Sequence, residues 1–142
     1  MLVAFHLHRK PVSLNARPNP MYTLEVATRA QSCYGGPMLV GDLYSRIIWF
    51  HKYRTTQGDV DNVAKRIHDA LKGVLFADDG TITHSMTVRV DATERVELMI
   101  EPEDPSSAFA LAESLDDEAI RDILYIEIGH TLDSRIYLGP PK

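Results

Sequence analysis

The chain has 142 residues, 44% of them apolar and 25% charged, a balance that suits one soluble domain with a single core. Its one cysteine, Cys33, excludes a disulfide within a monomer and fits a reducing, cytoplasmic setting, with the thiol buried or incidental rather than catalytic. A formal net charge of −5 argues against a uniformly basic nucleic-acid binder, and the apolar run Met1–Leu7 is too short for a signal peptide or a membrane span.

Charge is unevenly distributed. Residues 1–77 carry ten Lys/Arg against five Asp/Glu, whereas residues 101–127 carry nine acids against Arg121 alone. Either segment can be a solvated face, but the first half is basic enough to meet a phosphate backbone.

In chain order, Val3–Leu7 predicts a short strand. Residues 10–20, with three prolines and two asparagines, predict a loop. Tyr22–Cys33 predicts a helix with Leu24, Ala27 and Ala30 on one side, broken by Gly35-Gly36-Pro37. Leu43–Tyr53, rich in Ile, Trp, Phe and Tyr, predicts a buried strand. Val63, Ile67, Ala70, Leu71 and Val74 fall on one stripe of period 3.6 and define the clearest helix, with Asp61 as its N-cap and Gly73 at its end. Thr81–Val90 and Arg95–Ile100 alternate as an antiparallel hairpin about a turn at Asp91–Glu94. Asp104-Pro105 opens another helix with Phe109, Leu111, Ala112 and Leu115 apolar. Asp116 caps a further helix through Leu124, and Arg135–Leu138 is a final strand. The sum is an α+β domain over residues 1–142, a mixed β-sheet with helices packed on it.

The chemistry concentrates between Gly58 and Gly80. Asp59 and Asp61 are two apart in an extended approach to the helix, so both carboxylates share a side. Lys65 lies at i+4 from Asp61, where its ammonium can return toward them. If the chain doubles back after Gly73, Asp78 and Asp79 rejoin the start of the helix. Four gathered carboxylates repel unless a cation sits among them, and oxygen ligands suit Mg²⁺, with Mn²⁺ as a substitute. The scattered histidines offer no zinc spacing. Such a metal with open positions fits phosphodiester hydrolysis. Each feature also has a plain structural reading: cap and turn for Asp59-Val60-Asp61-Asn62, a turn for Asp79-Gly80, and surface pairing of Asp69 with Lys65 or Arg66.

Asp59-Val60-Asp61-Asn62, followed by Lys65, Asp69-Ala70-Leu71, Gly73 and Asp78-Asp79, resembles the signature of the RusA family of Holliday junction resolvases in order and approximate spacing. Pro11-Val12-Ser13-Leu14-Asn15 is similar to the Pro-x-Ser-x-Asn loop after that family's first strand. The resemblance covers residues 1–101 and is most specific over 58–80. The acidic segment that follows reads as an extension, residues 102–142, to a family-like core.

The resemblance implies a symmetric homodimer that cuts branched DNA with Mg²⁺ or Mn²⁺. It implies Asp59, Asp61 and Asp79 as catalytic metal ligands, Asp78 as a neighbouring one, and Lys65 as a catalytic electrostatic residue. Arg9, Lys10, Asn15, Arg17, Lys52 and Arg54 are the candidate DNA contacts. A nuclease for flaps or forks and a non-cleaving nucleic-acid-binding regulatory module remain alternatives. A Ca²⁺-stabilised domain lacks the twelve-residue loop with its closing Glu.

Overall fold

The computed structural model describes residues 2–13, 16–55, 60–94, 96–99, 105–131 and 138–140. The elements are β1 (Leu2–Leu7), α1 (Pro20–Cys33), β2 (Leu43–His51), α2 (Val60–Leu71), a 3-10 turn (Asp79–Thr81), β3 (Ile82–Asp91), α3 (Pro105–Asp116) and β4 (Asp122–His130). They form an α+β fold around one mixed sheet of strand order β1-β4-β2-β3. β4 runs antiparallel to both β1 and β2, and β2 runs parallel to β3. A parallel pair needs a crossover, and α2 supplies it between β2 and β3.

Alternation along the strands makes two unequal layers. Val3, Phe5 and Leu7 of β1, with Leu43 and Ile47 of β2, meet α1 and α2 in one large core. On the other face Phe50, Leu111 and Ile123 centre a smaller cluster under α3, joined by Val96 and Leu98. β4 is buried on both faces: Ile123, Leu124, Ile126 and Ile128 are all 0% exposed.

Several sequence expectations are corrected. α1 begins at Pro20, not after it. Asn19 caps it by accepting from the Tyr22 backbone N–H at 3.1 Å, and Pro20 takes a first-turn position where its missing N–H costs nothing. The helix buries Tyr22, Val26 and Ala30, which at i, i+4 and i+8 share one face, while Leu24 is exposed. α2 starts at Val60, so Asp61 lies in its first turn rather than at its cap. There its charge still meets the positive end of the helix dipole favourably.

Among the described residues the expected hairpin does not form. β3 pairs in parallel with β2, and Val96–Met99 forms no strand. Its alternation records burial, Val96 and Leu98 inward and Met99 outward, not strand pairing. The expected helix from Asp116 through Leu124 is also overturned, since Asp122–His130 is a central strand whose β-branched and aromatic residues prefer a sheet. Cys33 is exposed. Gly73 ends α2 as expected, at φ +81, a conformation in which a Cβ is strained. Asp104 lies outside the described residues, as does most of the expected strand Arg135–Leu138.

Candidate active site

The parallel β2–α2–β3 unit builds a cleft between α2 and the edge strand β3. Asp61, Ala64, Lys65 and His68 line it from the helix, Asp79 from the 3-10 turn, and Ser85 and Thr87 from β3. The cleft volume is about 640 Å³. The spacing explains the helix side. Asp61, Lys65 and His68 stand at i, i+4 and i+7, one stripe beside the apolar stripe of Val63, Ile67, Ala70 and Leu71.

Lys65 is the hub. Its Nζ donates to Asp69 Oδ1 at 2.7 Å and to Asp79 Oδ2 at 3.0 Å. These two bonds, to Asp69 first and then Asp79, raise its pKa above the ordinary lysine value, so the ammonium is charged at neutral pH. Asp79 uses one oxygen on Lys65. Its other oxygen, Oδ1, is buried with no hydrogen-bond partner. A buried carboxylate oxygen without a donor is costly and calls for a cation or an ordered water.

His68 was not singled out from the sequence. Its Nε2 hydrogen-bonds Ser45 Oγ at 2.8 Å. Burial, the largest influence, holds its pKa below the usual imidazole value; Lys65 acts in the same direction, and Asp79 and Asp69 oppose. The available signal was its i+3 spacing from Lys65.

The expected site residues separate as follows. Asp61, Lys65 and Asp79 share the cleft. Asp69 pairs with Lys65, as the surface-pair reading expected. Asp78 turns away: its side chain is 74% exposed, with Oδ1 3.9 Å from Lys72 Nζ, while its carbonyl accepts from Thr81. Asp59 and Asn15 lie outside the described residues. Among the described residues no group of three or more His, Cys, Asp or Glu is arranged to hold a metal ion.

Among the basic candidates, Lys10, Arg17 and Arg54 are exposed. Arg9 pairs with Glu25 at 2.9 Å and lies over the Tyr22 ring at 4.8 Å. Lys52 donates to the Ser114 and Asp117 carbonyls at 2.9 and 2.7 Å, which ties it to the C-terminal end of α3. A cation there also complements the helix dipole.

No helix among the described residues is long and apolar enough to cross a membrane. Residues 13–101 match a family model described as endodeoxyribonuclease RusA, a stretch that includes the whole cleft and ends before α3 and β4. No curated protein matches the chain.

Proposed function

Because the chain belongs to the RusA endodeoxyribonuclease family, we propose that it cuts branched DNA, four-way Holliday junctions above all, by Mg²⁺-dependent phosphodiester hydrolysis. In this reading it works in the cytoplasm as a homodimer serving recombination and repair. What carries the reading is the convergence of Asp61, Lys65 and Asp79 on one cleft, with Asp79 Oδ1 buried and unpaired.

The donor set suits a hard cation. Asp61 and Asp79 offer carboxylate oxygens on the cleft wall, and Asp59, two residues before Asp61, is the third ligand we assign. Mg²⁺ keeps several waters and needs few protein oxygens, and Mn²⁺ accepts the same ligands. When bound, the ion supplies Lewis-acid activation of water and phosphate. The chain's own residues do the rest. Lys65 holds Asp79 by Oδ2, which leaves Oδ1 turned to its own buried place. Its ammonium is a fixed positive charge where a phosphate's negative charge increases in the transition state. Asp69 shares that ammonium and fixes its direction. Exposed Lys10, Arg17 and Arg54 supply phosphate contacts that set orientation, not sequence. Two sites related by a two-fold axis match paired cuts across a symmetric junction.

A synthetic four-way junction, a flap and a fork, each labelled on one strand, test the reading with Mg²⁺ and with chelator. Paired junction cuts that need Mg²⁺ are expected. Cutting of flaps or forks alone moves the substrate, and binding without cutting makes the chain a regulatory module. Light scattering is expected to give twice the chain mass of 16.0 kDa. A monomer that makes paired cuts would remove the dimer from the reading.

A further inference from the structure

We propose that His68 is a positioning residue of the cleft: through Ser45 it pins α2 to the sheet and fixes the separation of Asp61 and Lys65 from Asp79. The inference rests on the functional reading above for what that separation accomplishes.

The two halves of the site ride on different bodies. Asp61 and Lys65 belong to α2, and Asp79 belongs to the turn that enters β3. The seam between helix and sheet is made by Val63, Ile67, Ala70 and Leu71, all buried. Apolar contact is non-directional, so a small slide or rotation of α2 changes the buried area little. A hydrogen bond is directional and short-ranged. The 2.8 Å bond between His68 and Ser45 is such a link, set into that seam.

Its placement joins the right parts. His68 shares a stripe with Lys65 and Asp61, so one helix rotation moves all three. Ser45 is 1% exposed on β2. Its register partner on β3 is Ser85, which lines the same cleft three residues into the strand that Asp79 introduces. Holding His68 on Ser45 therefore holds the helix side of the cleft against the sheet side.

Packing does not require an imidazole here. α2 already buries a full apolar stripe, and a leucine at position 68 would widen it. A buried hydroxyl facing a half-buried imidazole is kept only if the pair is satisfied, and partial burial lowers the ring's pKa, which disfavours a second positive charge beside Lys65.

Three variants test the pin: His68→Leu removes it, Ser45→Ala removes its other end, and His68→Gln keeps an amide that can reach Ser45. Each is measured for single-turnover junction cleavage, for junction binding in chelator, and for the Mg²⁺ or Mn²⁺ concentration giving half the maximal thermal shift. His68→Leu and Ser45→Ala should each slow cleavage about 10- to 100-fold, the range for groups that orient metal ligands, and should raise the metal midpoint. The double variant should be no worse than either single one, because one interaction is lost once. His68→Gln should stay near the parent, and junction binding without metal should not change.

If His68→Leu keeps the parental rate and midpoint, the pin is irrelevant and the inference falls. It also falls if Ser45→Ala is parental while both His68 variants are inactive, since His68 would then touch the reaction itself. Should His68→Leu not fold, loss in Ser45→Ala with retention in His68→Gln supports the pin, and any other pattern overturns it. A parent that cuts no branched DNA overturns the functional reading instead. The metal midpoint then decides the pin: raised in His68→Leu and Ser45→Ala it stands, and unchanged, or without a metal response in the parent, it falls.

Discussion

The two faces of the sheet are built differently. The face under α1 and α2 carries one continuous apolar core and, at its β3 edge, a cleft with a half-exposed lysine and two aspartates. The face under α3 carries a small apolar cluster beside polar pairs that are nearly buried. Glu127, 8% exposed, accepts from Tyr44 and Tyr125 at 2.7 and 2.6 Å and stands 3.6 Å from Arg46. Burial and then this bond to Glu127 push the Tyr125 phenol well above its ordinary pKa. The acids also segregate. Glu113, Asp116, Asp117 and Glu118 are exposed on and just after α3, on the side away from the cleft. An acidic face repels DNA, so segregation leaves the cleft side free to approach it. The acidic third of the chain is thus a support for the site: its last strand, β4, joins both layers.

The largest effect should come from removing that support. Deleting residues 103–142 removes β4 from between β1 and β2. We expect no cooperative melting by circular dichroism, even though the family match ends at residue 101. A soluble, folded truncation would show that the two faces are independent.

Next in size, and confined to the cleft face, is Lys65→Ala. Loss of a fixed charge aimed at a transition state costs about 10²- to 10³-fold in rate. Junction affinity should change little if, as proposed, exposed arginines and lysines elsewhere supply most phosphate contacts. Equal losses of rate and affinity would reduce Lys65 to one more phosphate contact.

A pair of core truncations sharpens the contrast between layers. Ile126, fully buried in the large core, should cost about 2–5 kcal/mol on replacement by alanine. Leu111, in the small cluster under α3, should cost less than Ile126 because fewer apolar neighbours enclose it. Denaturant melts with equal slopes would measure both. A larger loss at Leu111 would reverse the ranking of the two faces.

What the sequence revealed follows the same division. α2 was legible because its apolar stripe repeats strictly and its ends carry Asp61 and Gly73. The meeting of Lys65 and Asp79 was legible because spacing along one helix and one return bounds their separation. Spacing alone did not separate Asp78 from Asp79, since adjacent residues differ only in which way a 3-10 turn points them; the family resemblance alone ranked Asp79 first. β4 was hidden because Ile120, Ile123 and Leu124 also fit a helix over one turn. Only the neighbours β1 and β2 decide for the strand. His68 was hidden on the polar side of α2, because its partner Ser45 is 23 residues away.

The smallest effect compares one histidine on each face. His6 Nε2 and His8 Nε2 both reach Ser114 Oγ of α3, at 3.1 and 2.8 Å, and the two rings lie 5.3 Å apart. Burial above all, then His8 and Arg29, hold the His6 pKa below its ordinary 6.5. His68 on the cleft face is lowered as well, chiefly by burial. The sign follows from linkage. Each ring binds a proton more weakly when folded than when unfolded, so the unfolded chain gains protons first as pH falls. The stability that the neutral rings contribute is complete above pH 6.5 and is lost as pH falls from there through each folded pKa. His6→Asn keeps a hydrogen-bonding side chain near Ser114 but does not titrate. It should melt at a temperature that falls less between pH 7.5 and pH 5.5 than the parent's, and His68→Gln should do the same independently. Because the two rings sit on opposite layers with no shared partner, their effects should add. If His6→Asn leaves the slope unchanged while His68→Gln flattens it, acid stress enters through the cleft alone. α3 would then be held by Leu111 and Leu115 rather than by its histidine contacts.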